Sequence, residues 1–337
     1  MDTGTPSSFR RGYGTDNAYD EQKQQQQQQC ELTDILLQSL ATHNFPTARE
    51  ALDKGAQSGT EALLTAACQG NVAFLDLLLD YLKPQHENNE SNKNENSGKR
   101  AVVDVNGVSP ETGLTALHHG VLKGHVPTVQ LLLEKGHADP NVTTATADRG
   151  GVGYTPLQCL VLATEPNLEI LQLLLDYGAN VHDRIGTKTI TRQSKNNSIP
   201  LLHLAQHTGV AQKLLQKGGP SYAHVTTAPG VFTALHTAAA DGNVAKMRLL
   251  LQVGGTRPDV ADSHGETALH WACAAGQVLA VQVLLQRTGR AVALLKQDNH
   301  QGQTPFMVAC AKKEIAVALF LWNDARYRSW GCNPWQR

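Results

Sequence analysis

Aromatic side chains are scarce: Phe, Trp and Tyr make up 5% of the 337 residues, against 41% for all apolar types. Small and aliphatic residues therefore carry the packing, which suits thin, repetitive helix contacts better than one deep core. An excess of either charge is also missing, with 29 Lys+Arg against 30 Asp+Glu and a formal net charge of -1. No overall positive field draws such a chain to phosphate backbones or acidic lipid, so nucleic acid and membrane surfaces are not expected partners. No run of 18 uncharged apolar residues occurs and no apolar stretch follows Met1, so neither a membrane span nor a secretory signal is expected. The six cysteines, Cys30, Cys68, Cys159, Cys273, Cys310 and Cys332, contain no Cys-x-x-Cys pair and are expected to be thiols in a reducing compartment. The expected location is the cytoplasm, with the nucleus as the alternative.

Catalytic signatures are absent too. His264-Gly265-Glu266 is not followed by Pro-Cys-x-x-Cys, and His86-Glu87-Asn88-Asn89-Glu90 lacks a second histidine at zincin spacing, so no metal site is expected. Gly186-Thr187-Lys188-Thr189 breaks the contiguous Gly-Lys-Ser/Thr of a phosphate loop, and there is no Gly-x-Ser-x-Gly elbow. No cofactor and no enzymatic activity are expected.

What is present is repetition. Residues 1–30 are polar, ending in Gln24 to Gln29, and are expected to form a disordered tail. Beyond them, Thr115-Ala116-Leu117-His118, Thr233-Ala234-Leu235-His236 and Thr267-Ala268-Leu269-His270 recur, with variants at Thr155-Pro156-Leu157-Gln158 and Thr304-Pro305-Phe306-Met307 and weaker copies from Glu61 and Pro200. The starts at 61, 115, 155, 200, 233, 267 and 304 are spaced 54, 40, 45, 33, 34 and 37 residues apart, each 33 or that plus an insertion. Sixteen residues after three of the starts lie the triplets beginning at Leu77, Leu131 and Leu249, with a stop such as Gly242-Asn243 between the two marks. Thr supplies a capping oxygen, Pro156 and Pro305 sit at the first helical position, and Gly ends the helix in the left-handed conformation. Each copy thus predicts two short helices and a turn. One such hairpin is too small to fold alone, so the copies must stack.

The Thr-Pro-Leu-His signature at a period of 33 with its Leu triplet resembles the ankyrin repeat, over residues 31–325. The resemblance implies an all-α solenoid of about seven repeats, with residues 34–56 as a degenerate amino-terminal unit. Three copies depart from the pattern: the one from Glu61 lacks the signature, the one from Pro200 is two residues short, and the one from Thr155 is two residues long. Insertions of about 21, 7, 12 and 4 residues, read from the spacings, fall where the family has its β-turn fingers. Residues 84–112, which include an Asn-rich stretch, are expected to be a disordered insertion, while Thr143–Gly153 and Ile185–Ser198 should project from the same edge.

The resemblance further implies binding of a protein partner by a monomer through a concave face built from fingers and first-helix ends. The candidates it places there are Ser263, His264 and Glu266 in one finger, His300, Gln301 and Gln303 in the next, and Lys123, Asp241 and Lys312 near first-helix ends. Trp271 joins them because a large aromatic there follows the signature histidine. The expected role is a non-catalytic scaffold or adaptor. The alternative is a regulatory or substrate-recruiting subunit of an enzyme such as a ubiquitin ligase, kinase or acyltransferase. Finally, 5 of the 17 aromatics lie in the last 18 residues, and residues 326–337 are read as an aromatic-rich cap or tail, with a docking segment as the competing reading.

Overall fold

The computed structural model describes residues 15–54, 56, 59–82, 104–144, 153–186, 198–227, 232–253, 255–287 and 291–324. They belong to two compact units, Met1–Ala138 and Asp139–Arg337.

The first unit contains three helical hairpins: α1 (Thr15–Ala41) with α2 (Phe45–Asp53), α3 (Gly59–Gln69) with α4 (Val72–Leu82), and α5 (Ala116–Lys123) with α6 (Val126–Glu134). The course of α1 corrects the expectation of a disordered tail to residue 30: the helix runs unbroken through the glutamines. Glutamine is a fair helix former, and the far end is nucleated by tertiary packing, with Leu32, Leu36 and Leu40 at helical spacing buried. Residues 1–14 lie outside the described residues. A second correction concerns 84–112. Residues 104–112 form an ordered finger: Thr60 Oγ1 accepts the Asp104 N–H at 2.9 Å, and Ser109 N–H donates to the Leu114 carbonyl at 2.8 Å. Gly113 makes that turn affordable, its φ of 67° being one that other residues rarely adopt. The rest of that insertion, including its Asn-rich stretch, falls outside the described residues.

The second unit contains five hairpins: α7 (Pro156–Leu162) with α8 (Leu168–Asp176), α9 (Leu201–Leu204) with α10 (Thr208–Gly218), α11 (Ala234–Ala240) with α12 (Val244–Gln252), α13 (Ala268–Ala274) with α14 (Val278–Arg287), and α16 (Pro305–Ala311) with α17 (Ile315–Asn323). The short helix α15 (Ala291–Lys296) takes up the extra length before the last pair, and a 3-10 turn spans Pro220–His224. Strands β1 (Arg184–Gly186) and β2 (Ser198–Pro200) pair antiparallel at the base of one inserted finger. Thr144 N–H to the Tyr154 carbonyl, at 2.9 Å, closes the base of another. The middles of both insertions, 145–152 and 187–197, lie outside the described residues, as does the carboxy-terminal segment 326–337.

The two irregular copies resolve simply. The extra residues of the Thr155 copy enter the turn between α7 and α8, where Asn167 accepts the Glu169 and Ile170 N–H groups and restarts the helix. The short Pro200 copy keeps only a single turn, α9, with no side-chain cap. The second helices otherwise bury one stripe at i, i+1, i+4 and i+5: Phe74, Leu75, Leu78 and Leu79 in α4, Ile170, Leu171, Leu174 and Leu175 in α8. Each fully buried leucine contributes about 1.5–3 kcal/mol, and the stripe is what each hairpin hides against its neighbours.

In six of the eight described hairpins the turn between the helices passes through a left-handed residue. Gly70, Gly124, Gly242 and Gly276 supply it at φ 68–74°, whereas Lys313 does so at φ 63° in the last copy. A side chain in that region is strained, so Lys313→Gly is expected to raise stability by about 0.5–1 kcal/mol after the added freedom of the unfolded chain is subtracted. Urea unfolding would read the gain; a loss would show that the Lys313 side chain contributes more than its backbone strain.

Candidate functional site

The signature residues lock neighbouring repeats together. Thr233 and Thr267 donate their backbone N–H groups to Nδ1 of His236 and His270 at 3.2 and 3.1 Å. A backbone N–H only donates, so Nδ1 is the acceptor and the proton sits on Nε2. That Nε2–H then reaches the carbonyl just before the next copy's capping threonine: His236 to Glu266 and His270 to Gln303, each 3.1 Å. His203 reaches Phe232 O in the same way, but its Nδ1 is buried without a partner. Pro200 stands where five other copies have threonine, and it offers neither an N–H nor a hydroxyl. Gln158 makes both bonds with an amide, accepting from Thr155 N–H at 2.9 Å and donating to Arg184 O at 3.2 Å. Burial holds the imidazoles of His236 and His270 below their ordinary pKa and takes His203 down to about 4.

These bonds fix the fingers. The first spans Asp262 to Glu266 and the second Asn299 to Gln303. Asp262 Oδ1 accepts the N–H groups of His264 and Glu266, both at 2.8 Å, and Asn299 Oδ1 does the same for Gln301 and Gln303 at 3.0 and 2.9 Å. The two fingers join through His300 N–H to His264 O at 2.8 Å. Gly265 is required there, since a Cβ would meet the His300 backbone nitrogen at 2.8 Å.

Of the sequence-derived candidates, Ser263, His264, His300 and Gln301 are exposed side chains on this rigid pair of turns. Glu266 and Gln303 are half-buried, each within 3.4 Å of the Asn299 amide. Trp271 lies beneath them: its indole N–H donates to Asp262 Oδ2 at 3.0 Å, and its ring packs on Phe232 and His236 with centroids 5.1 and 5.6 Å away. It braces the finger and leaves part of its surface to solvent. Asp241 and Lys312 are exposed at the carboxy-terminal caps of α11 and α16. Lys123 is exposed in the last turn of α5, in the first unit.

Asp262 and Asn299 were not singled out from the sequence, although a signal existed. Asp262-Ser263-His264-Gly265-Glu266-Thr267 and Asn299-His300-Gln301-Gly302-Gln303-Thr304 share an Asx-x-x-Gly-x-Thr pattern, which is a side-chain-closed turn leading into a helix cap. Asp262→Ala strands three donors, two of them backbone, and is expected to destabilise the second unit by about 2–4 kcal/mol. Urea unfolding and the Trp271 indole N–H resonance would both report it; an unshifted resonance would count against the bond.

Among the described residues no group of three or more His, Cys, Asp or Glu side chains could hold a metal ion, and no helix is long and apolar enough to cross a membrane. The thiol of Cys273 is fully buried and pushed far up by desolvation. Cys310 is exposed.

A family model described as "Ankyrin repeats (3 copies)" matches residues 24–144, 91–185 and 201–293. Among solved structures, the ankyrin repeat domain of Bcl-3, described as a unique member of the IkappaB protein family, is similar with a TM-score of 0.54 at 21% identity, over 77% of this chain and 97% of that one. The human ASB11 ankyrin repeat domain is similar at TM-score 0.50 and 24% identity, over 77% and 96%. So is a chain from the Bdellovibrio bacteriovorus complex of the predatory endopeptidase Bd0816 with the immunity protein Bd3460, at TM-score 0.50 and 23% identity, over 67% and 97%. At these identities the likeness is one of fold. A search of curated proteins returned no match.

Proposed function

Because this chain belongs to the ankyrin repeat family, whose members serve as protein-binding modules, we propose that it is a non-catalytic scaffold or adaptor that grips a partner protein through the concave face carrying its fingers. The observation that carries this reading is the locked pair of turns. The backbone bond from His300 to His264, the Asp262 and Asn299 closures and the Trp271 brace hold Ser263, His264, His300 and Gln301 outward in fixed register. A surface ordered before contact loses little conformational entropy on binding, so modest contacts add up to useful affinity. Asp241 and Lys312 would extend the same face at first-helix ends, and Lys123 is the candidate at the corresponding place in the first unit. The reading takes the chain as a monomer of the cytoplasm or nucleus, without cofactor; its balanced charge favours a protein over nucleic acid.

Proximity labelling in cells with the full chain, compared with the chain carrying Ser263→Ala, His264→Ala, His300→Ala and Gln301→Ala together, tests the surface. These four side chains point away from the fold, so circular dichroism should be unchanged while specific labelling of the partner drops at least tenfold. Unchanged labelling would place the contact elsewhere. Enzymatic activity co-purifying in fixed stoichiometry with the unsubstituted chain, and lost with the four substitutions, would instead identify a recruiting subunit of an enzyme complex.

A further inference from the structure

The last hairpin carries a groove of about 590 Å³, between the exposed sides of α16 and α17, lined by Phe306, Cys310, Ile315, Ala318, Leu319 and Trp322. Its rim is unusually apolar for surface: Ile315, Leu319 and Trp322 are 70%, 56% and 47% exposed. The repeat pattern itself does not call for this. The fifth position of the second helix is Asp76, Gln130, Gln172, Gln212, Arg248 and Gln282 in the six preceding copies, and Leu319 in the last. A position that is polar wherever it faces solvent has become apolar here, and the eighth position, a leucine in each of those copies, has become Trp322. Both changes add apolar surface to the groove, which points to an occupant rather than to an unfinished end.

We propose that the occupant is the chain's own carboxy-terminal segment, residues 325–337, with Trp330 and Trp335 seated in the groove and Cys332 brought close to Cys310. The described chain ends at Asp324, one residue past α17, and the segment that follows holds Tyr327, Trp330 and Trp335. Reach is ample: the six residues from Asp324 to Trp330 span up to about 20 Å when extended, whereas Leu319 lies only about 7.5 Å back along the helix. Closing so short a loop costs little, and tethering gives the segment an effective concentration on the order of millimolar, above that of a second copy or another protein. Gly331 and Pro334 permit the bends that bring two indoles to one groove.

The chain's own thiols supply the test. In the full-length protein carrying Cys30→Ser, Cys68→Ser and Cys159→Ser, a short-arm bismaleimide should link Cys310 to Cys332 within one molecule, Cys273 being buried. Peptide mapping of the monomer band should show at least ten times more of this link than in the same protein with Trp330→Ala and Trp335→Ala. Hydrogen exchange over 306–322 should be at least tenfold slower in the unsubstituted chain than in that double variant, with exchange in α11 equal in both. A predominantly dimeric product would assign the groove to a second copy and overturn the proposal. So would an absent link, or linking and exchange that ignore the tryptophans.

Discussion

Replacing Lys246 with isoleucine is expected to stabilise the second unit by about 2 kcal/mol at pH 7. Lys246 is the third residue of α12, and the same position is Phe74, Thr128, Ile170, Val210, Ala280 and Val317 in the other copies, all buried. It is 1% exposed, its ammonium donating to the His203 carbonyl at 3.0 Å. Desolvation is the larger influence on it, outweighing the attraction of Asp241, and lowers its pKa to about 8. The amino terminus of a helix is also the wrong end for a cation. A pKa lowered from 10.5 to about 8 means that the unfolded chain holds a proton more tightly than the folded one; keeping the charge buried at pH 7 costs about 3 kcal/mol. Isoleucine removes that cost and loses one hydrogen bond, while Thr237 Oγ1 still lies 3.4 Å from the same carbonyl.

The pH dependence identifies the cause. Between about pH 8 and 10.5 only the unfolded state protonates Lys246, so this residue's contribution to stability rises with pH across that window. The advantage of Lys246→Ile over the unsubstituted chain should therefore be greatest at pH 7 and shrink toward pH 10. Urea midpoints for both proteins at pH 7, 8, 9 and 10 measure it. A constant gap would attribute the effect to packing alone, and a less stable variant at pH 7 would refute the assignment of Lys246 as a buried cation.

Much of the fold was legible because repeats over-determine it. Thr233 and Thr267 announce a cap, Gly242 and Gly276 a turn, and the Leu triplets a buried stripe; each signal recurs at one offset, so errors in any one copy are outvoted. The helix α1 was not legible, because a glutamine run looks the same whether it is extended by a packed neighbour or not. What decides it is the burial of Leu36 and Leu40, a tertiary fact. The site was half legible. Ser263, His264, His300 and Gln301 are exposed residues of the fingers, but the residues that make the finger rigid, Asp262 and Asn299, act through backbone N–H groups that a residue-type pattern does not display. Lys246 was hidden for the opposite reason: a lysine in a helix reads as solvated unless its copies are aligned and the core position is recognised.

Acid should loosen the second unit through its signature histidines, and glutamine should cure it. With Nδ1 of His236 and His270 already accepting a backbone N–H, a proton added there would face another donor at about 3.1 Å, so protonation breaks the lock between copies instead of strengthening it. His203 has room for no new partner in its burial and sits near the Lys246 and Arg184 charges, which, after desolvation and against its bond to Phe232, help push its pKa to about 4. All three shifts are downward. The unfolded imidazole, with a pKa of about 6.5, therefore takes up protons that the folded one refuses, and stability present above pH 6.5 is lost as pH falls below it, for His203 down to about 4. Gln158 shows the remedy, since its amide makes the same pair of bonds without a titrating group. In the chain carrying His236→Gln and His270→Gln, stability from urea unfolding followed by circular dichroism should fall less steeply between pH 7 and 4.5 than in the unsubstituted protein, the downward-shifted His203 and His119 remaining. Equal slopes would mean that carboxylates, not these imidazoles, govern the acid response.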